Sequence, residues 1–228
     1  MKKTTKLSAF TLIELLIVIA IIGILATLMF PAINGALLKA NGVKLGNNGA
    51  NIVKSILSTN IDLEQMSKAS IWPTKGDGGS SDYSDANSYF AYLMDNEYLD
   101  GISYTMFAGG GVPAAQDSDK LKTDGNVWNV LANVDNADDA IPFLWTRNLS
   151  LSDTDITGAS PDKSTKWVSK LSSDIKPFGA AQIVLVRKGG AMQTIRNKYL
   201  FSDEFMGGTT NDAVKILNAQ GGAGSSGG

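Results

Sequence analysis

The sequence predicts an α+β protein in which a long N-terminal helix, membrane-spanning in its first half, precedes a small domain that contains an antiparallel β-hairpin. Three observations predict this class: an apolar run from Phe10, apolar residues at helical spacing as far as Met66, and two extended runs that flank Gly189-Gly190. A chain of 228 residues is long enough for one membrane segment and one folded domain.

The chain opens with the basic stretch MKKTTKLSA, which directly precedes the apolar stretch FTLIELLIVIAIIGILATLMFPAI. The residues from Phe10 to Phe30 span about 31 Å as a helix, close to the roughly 30 Å hydrocarbon thickness of a bilayer. Lysines precede this run and none lies within it, which predicts a cytoplasmic N-terminus by the positive-inside bias. We therefore expect residues 10–33 to cross a membrane once, with the rest of the chain outside the cytoplasm.

Glu14 is the one charged residue between Lys6 and Lys39. An acidic group inside an apolar helix costs on the order of 2–3 kcal/mol to insert unless it finds a partner. A conventional signal peptide has a shorter, uninterrupted apolar core that is removed by cleavage behind it. The position of Glu14 therefore predicts that its carboxylate has a function in the membrane.

The residues FTLIE at 10–14, behind a short basic leader and before a long apolar run, resemble the prepilin signature of type IV pilins and type II secretion pseudopilins. The resemblance covers residues 1 to 35 or so, and it implies a pilin-like fold in which the long helix packs on a small antiparallel β-sheet. It implies cleavage between Ala9 and Phe10 by a prepilin peptidase, N-methylation of Phe10, an assembly role for Glu14 and a helix kink at Pro31. The family's usual residue before the cut is glycine, and this chain has Ala9 in its place.

The resemblance also implies how Glu14 acts. After cleavage, the amine of Phe10 is a positive charge at membrane depth, and Glu14 of a neighbouring subunit can neutralise it as the helices stack with an axial offset. The alternative is a carboxylate that snorkels to the interface. The implied partners are the prepilin peptidase, other pilin or pseudopilin subunits in a homo- or hetero-oligomeric filament, an inner-membrane assembly platform, and membrane lipid before assembly.

Residues 34–66 are expected to continue the first helix outside the cytoplasm, as an amphipathic segment that packs on the globular domain. The residues at helical spacing are Val43, Ala50, Val53, Ile56, Leu57, Ile61 and Leu63. Four glycines in this region, Gly35, Gly42, Gly46 and Gly49, each weaken a helix by up to about 1 kcal/mol relative to alanine. We therefore expect the helix to be broken or locally extended there.

Residues 67–220 are expected to form the globular β-containing domain, with a turn-rich loop at 73–88 and a short helix from Ser88 to Tyr98. The aromatic residues of that helix are expected to be core. Strands are expected at 127–131 and 141–146.

The segment QIVLVRKGGAMQTIRN predicts a tight hairpin with Gly189-Gly190 as a two-residue connection. The polar segment 148–177 is expected to be a long connection. Residues 1–9 are the expected leader, and the Gly/Ser-rich residues 221–228 are an expected flexible tail.

The chain has no cysteine and no histidine, which excludes disulfides, thiolate nucleophiles, Cys/His zinc sites and Ser-His or Cys-His catalysis. Removal of the leader takes away Lys2, Lys3 and Lys6 and lowers the net charge from -2 to -5. No basic patch then favours nucleic acid as a partner.

Two groups of acidic residues lie in loops: Asp77, Asp82 and Asp85, and Asp135, Asp138 and Asp139. Oxygen-rich loops bind calcium, and some pseudopilins have a calcium site in the soluble domain. Neither group has the glycine and terminal glutamate of an EF-hand loop, which favours solvated acidic loops. No cofactor is expected, and calcium stays open without assigned ligands.

The leading function is a structural subunit, not an enzyme: a pseudopilin or pilin of the bacterial inner membrane, with its C-terminal domain in the periplasm or outside the cell. An alternative is a membrane-anchored binding module for carbohydrate or a secreted substrate. Its candidate contacts are Trp72, Trp128, Trp145 and Trp167. A third class is an enzyme that uses paired carboxylates, such as a glycosidase, although no pair can be chosen from the sequence.

Overall fold

The computed structural model describes residues 10–76, 83–159, 163–209 and 214–219. The chain forms two compact units, Met1–Ala40 and Asn41–Gly228. The expected leader, the expected tail and the aspartates Asp77 and Asp82 lie outside the described residues.

In the first unit the structure describes the start of one long helix, and the second unit contains the rest of that helix and the remaining elements. The α-helices are Leu12–Gln65 (α1), Ala86–Asp95 (α2), Ser118–Thr123 (α3), Asp153–Thr157 (α4) and Ser202–Met206 (α5). The β-strands are Trp128–Ala132 (β1), Pro142–Thr146 (β2), Gln182–Arg187 (β3), Met192–Arg196 (β4) and Lys215–Leu217 (β5).

The described strands form one antiparallel sheet in the order β4-β3-β2-β1-β5. This confirms the predicted α+β class, with a long N-terminal helix and an antiparallel sheet. The two predicted strands before residue 150 are β1 and β2; β1 begins and ends one residue later than expected, and β2 begins one residue later. β5 pairs with β1 from far along the chain, and nothing in its short sequence predicts it.

The helix α1 is continuous through its glycines, so the expected break is wrong. A Cβ atom on Gly42 would lie 2.8 Å from Gln182 Nε2, and one on Gly46 would lie 2.7 Å from Met192 Sδ. A Cβ on Gly49 would lie 2.8 Å from a Val186 methyl group and 2.9 Å from the Trp128 ring. The glycines therefore let the helix backbone approach the sheet, and burial of the neighbouring side chains offsets their low helix propensity.

The buried side of α1 follows the predicted helical spacing only in part. Ala50, Val53, Ile56 and Leu63 are buried, whereas Val43 and Ile61 are about half exposed, at 50% and 55%. The sequence pattern could not separate these positions because the side of the helix on which the sheet packs is defined by the glycines as well as by the apolar residues.

The opposite face of the sheet is covered by α5 together with residues of the segment that was predicted to be a long connection. Trp145 of β2 packs edge-on against Phe205 of α5 with ring centroids 5.6 Å apart, and Phe205 also contacts Trp167 at 5.4 Å. The Nε1 of Trp145 and the amide of Asn129 both donate to the carbonyl of Leu149. Leu149 and Trp167 belong to the predicted connection, which also contains α4, whereas Phe205 lies outside it.

The predicted hairpin is confirmed as β3 and β4, but its connection has three residues and not two. The N–H of Arg187 donates to the carbonyl of Ala191 at 2.8 Å, and the N–H of Gly190 donates to the carbonyl of Arg187 at 2.8 Å. Gly190 has φ 85°, which is the left-handed residue that follows the turn in a three-residue hairpin loop.

The helix α2 begins two residues before the predicted start and ends at Asp95. Asp85 is its N-cap, and the Asp85 carboxylate accepts from the N–H of Ser88 at 2.8 Å. Tyr89 and Phe90 are fully buried, as predicted for core aromatics, whereas Tyr92 is exposed.

Candidate functional site

The start of α1 brings together Phe10, Thr11 and Glu14. Thr11 directly precedes the first helical residue, Leu12. One carboxylate oxygen of Glu14, Oε2, accepts from the N–H of Thr11 at 2.9 Å and from its hydroxyl at 2.7 Å. The N–H of Glu14 lies 3.3 Å from Thr11 Oγ1, to which it donates.

These reciprocal bonds are a capping box, in which Thr11 is the N-cap and Glu14 the third helical residue. The first N–H groups of any helix lack partners within the helix, and this need is acute in a bilayer, where water does not supply one. Glu14 therefore helps to form the helix of its own chain. Sequence reasoning missed this role, although the spacing Thr-x-x-Glu before an apolar run is its signal.

Nearly all of the described apolar side chains of the first unit are exposed. None of the described residues from Phe10 to Ala40 is buried, and Phe10 is 77% exposed. By length and composition, α1 contains a stretch that is able to cross a membrane. These properties fit membrane anchoring of the chain by its N-terminal helix.

The remaining predicted site residues are Ala9 and Pro31. Ala9 lies outside the described residues. Pro31 lies inside α1, and the helix continues on both sides of it. It is about five helical turns from Glu14, so the structure groups Phe10 with Glu14 and leaves Pro31 apart from them.

The four tryptophans of the binding-module alternative are core residues, which corrects the prediction that they contact a ligand. Their side chains are buried: Trp72, Trp128, Trp145 and Trp167. They fill both faces of the sheet because a large aromatic side chain contributes more packing there than on the surface.

A pair of neighbouring carboxylates, Asp203 and Glu204, lines an open groove of about 490 Å³ beside β4. The Ser164 hydroxyl donates to Asp203 at 2.5 Å, and this hydrogen bond lowers the pKa of Asp203. A general acid of a glycosidase needs a carboxyl group with a raised pKa. The pKa of Asp203 is lowered instead of raised, so the groove does not favour the enzyme alternative.

The part of the chain that the structure describes contains no group of three or more Asp or Glu side chains placed to hold a metal ion. Asp85 is used as the cap of α2, and Asp135, Asp138 and Asp139 are exposed. The absence of a cofactor stays a prediction.

The comparisons with known proteins identify the N-terminal segment. Residues 6–30 match the family described as prokaryotic N-terminal methylation motif. No curated protein and no solved structure matches the chain. The matched residues include the capping box and most of the apolar part of the helix.

Proposed function

We propose, from the premise that this chain carries the prokaryotic N-terminal methylation motif of prepilin-type precursors, that it is a structural subunit of a type IV pilus-like filament or a type II secretion-like pseudopilus. The motif match carries the proposal. It is supported by the exposed apolar side chains of the matched helix segment, because a subunit that moves from bilayer to filament needs a surface that is apolar in both surroundings.

The maturation steps follow from the motif. A prepilin peptidase cuts between Ala9 and Phe10, and the new amine of Phe10 is N-methylated. The N-terminus is cytoplasmic before the cut, the helix crosses the bacterial inner membrane once, and the globular domain lies in the periplasm or outside the cell.

Assembly uses the same helix. Glu14 of one subunit pairs with the Phe10 amine of its neighbour, and a kink at Pro31 adapts the helix to its neighbours in the filament. The partners are further pilin or pseudopilin subunits and an inner-membrane assembly platform, with membrane lipid around the helix before assembly. This is a structural role, and no catalytic residue is assigned.

The first test is the N-terminus of the mature protein. Expressed with a prepilin peptidase, the chain is expected to begin at N-methylated Phe10, as measured by mass spectrometry of N-terminal peptides. Ala9→Gly restores the family's usual residue and is expected to be cut at the same bond at least as fast, whereas a peptidase-negative strain retains the leader.

Cleavage behind the apolar run, or an uncleaved chain in the presence of the peptidase, would contradict the proposal. The first result would identify an ordinary secreted protein and would leave the membrane helix without a role in the mature chain.

A further inference from the structure

The loop between β1 and β2, residues 133–141, closes around the first residues of the β3–β4 hairpin connection. The ammonium group of Lys188 donates to the carbonyl of Asp135 at 2.8 Å and to that of Ala137 at 2.7 Å. The backbone N–H of Lys188 donates to the carbonyl of Ile141 at 3.0 Å. The loop thus directs carbonyl oxygens at one lysine.

Two neighbours of Lys188 complete this arrangement. The N–H of Gly189 donates to the carbonyl of Asp139 at 2.8 Å, and Nη1 of Arg187 donates to the carbonyl of Ala140 at 2.6 Å. Three consecutive residues of the hairpin therefore satisfy most of the carbonyl groups of the loop, and its conformation depends on them.

The Lys188 ammonium is enclosed. Lys188 is 7% exposed, and its Nζ lies 5.4 Å from the ring centroid of Trp72. Among the residues that the structure describes, it forms no ion pair. A buried ammonium is costly unless hydrogen-bond acceptors replace its water, and the carbonyls of Asp135 and Ala137 with the Trp72 ring provide that replacement.

The acidic side chains of the same loop point elsewhere. Asp135, Asp138 and Asp139 are exposed, and Asp138 Oδ1 accepts from the N–H of Ala140 at 2.7 Å. Calcium requires about six to eight oxygen ligands around one point. Because an ammonium already takes the inward carbonyls while the carboxylates face solvent, the loop does not fit calcium.

We propose that the ammonium of Lys188 is the resident cation of the 133–141 loop, in the place that a calcium ion takes in oxygen-rich loops. The acidic residues there are a solvated surface, and the folded loop needs no divalent metal. This proposal is independent of filament assembly, since it concerns the stability of the unassembled chain.

The first experiment compares Lys188→Met with Lys198→Met in the full-length chain in detergent micelles. Lys198 is a matched control because it is exposed and its ammonium also lies over an aromatic ring, that of Tyr199. Thermal unfolding followed by tryptophan fluorescence is expected to show a Tm lower by about 5 °C or more for Lys188→Met, and a Tm within about 1 °C of wild type for the control. Equal Tm values for the two variants would overturn the proposal.

The second experiment does not depend on a variant at Lys188. The Tm of wild type and of Asp135→Asn/Asp139→Asn is measured with excess calcium chloride and with EGTA. The calcium-dependent shift is expected to be the same in both proteins, including no shift in either. A shift present in wild type and lost in the double variant would place calcium on this loop and overturn the proposal.

Discussion

At the scale of single residues, Glu14 has one use that the structure shows, helix capping, and a second that we propose, pairing in assembly. Its Oε2 closes the capping box with Thr11, and among the described residues no donor bonds its Oε1. One oxygen can therefore hold the helix start while the other accepts from the Phe10 amine of a neighbouring subunit. The local hydrogen bonds also lower the cost of carrying a carboxylate in an apolar segment.

The two uses are separated by comparing Glu14→Gln with Glu14→Val. Glutamine retains an oxygen that caps the helix but has no charge, whereas valine has neither. We expect both variants to insert into the membrane and both to lose most incorporation into filaments, because the charge that neutralises the amine is gone. Incorporation is measured by shearing filaments from cells and quantifying the subunit against the membrane fraction.

The outcome that contradicts charge pairing is specific. If Glu14→Gln is incorporated as well as wild type while Glu14→Val is not, the essential role of Glu14 is to cap its own helix. If both are incorporated normally, Glu14 has no role in assembly.

At the scale of elements, the long helix is shaped by a repeat that the sequence interpretation overlooked. Asn-Gly recurs at 34–35, 41–42 and 48–49, and seven residues are close to two helical turns, so the three glycines lie near one line along the helix. Gly42 and Gly49 contact the sheet, whereas a Cβ on Gly35 would have nothing within 4 Å. Similar local sequences therefore have different packing.

This difference predicts opposite effects for two identical substitutions. Gly49→Ala places a Cβ against Trp128 and Val186, and overpacking of about 1–3 kcal/mol exceeds the gain in helix propensity of up to about 1 kcal/mol. Gly35→Ala has the same gain in helix propensity without any overpacking. Thermal unfolding in detergent micelles is expected to give a lower Tm for Gly49→Ala, by about 2–4 °C per kcal/mol, and an unchanged or higher Tm for Gly35→Ala.

Among Gly42, Gly46 and Gly49, a substitution at Gly49 gives the clearest test because its neighbours are a tryptophan ring and a β-branched side chain. Those near Gly42 and Gly46 are the ends of the flexible Gln182 and Met192 side chains. A Gly49→Ala protein as stable as wild type would mean that the sheet moves away from the helix at low cost.

At the scale of the whole molecule, the globular unit is held without disulfides by a sheet with two covered faces and by basic side chains that bind distant carbonyls. Arg147 donates to the carbonyls of Asn126 and Lys176. The Nζ of Lys75 donates to the carbonyl of Ile216 at 2.7 Å. Charge-assisted bonds of this kind are stronger than neutral ones, and they tie loops to strands far along the chain.

Asn41–Gly228 form a compact unit of their own, which predicts the behaviour of a truncated chain. The described residues before Asn41 include no buried residue, so a chain that starts at Gly35 keeps every side chain that the structure describes as buried and loses the exposed apolar residues before Gly35. We expect it to be monomeric without detergent, with cooperative unfolding and the near-UV circular dichroism of the full chain. Aggregation or loss of cooperative unfolding would show that the N-terminal residues contribute to the fold.

The sequence by itself determined the features that depend on neighbours along the chain. The motif FTLIE, the apolar run, the Gly-Gly hairpin and the aromatic side of α2 are local patterns, since helix and turn preferences act over a few residues. The α+β class followed from these patterns, whereas the small antiparallel sheet was implied in part by the resemblance to the prepilin family.

The tertiary structure alone decided what depends on contacts between distant segments. The continuity of α1 through Gly42 and Gly49 requires the sheet beside them, and the burial of the four tryptophans requires both covering layers. The pairing of β5 with β1, and of Lys188 with the carbonyls of Asp135 and Ala137, joins residues more than fifty positions apart. Such contacts leave no local signal, because burial and hydrogen bonding between distant segments override the preferences of the residues that meet there.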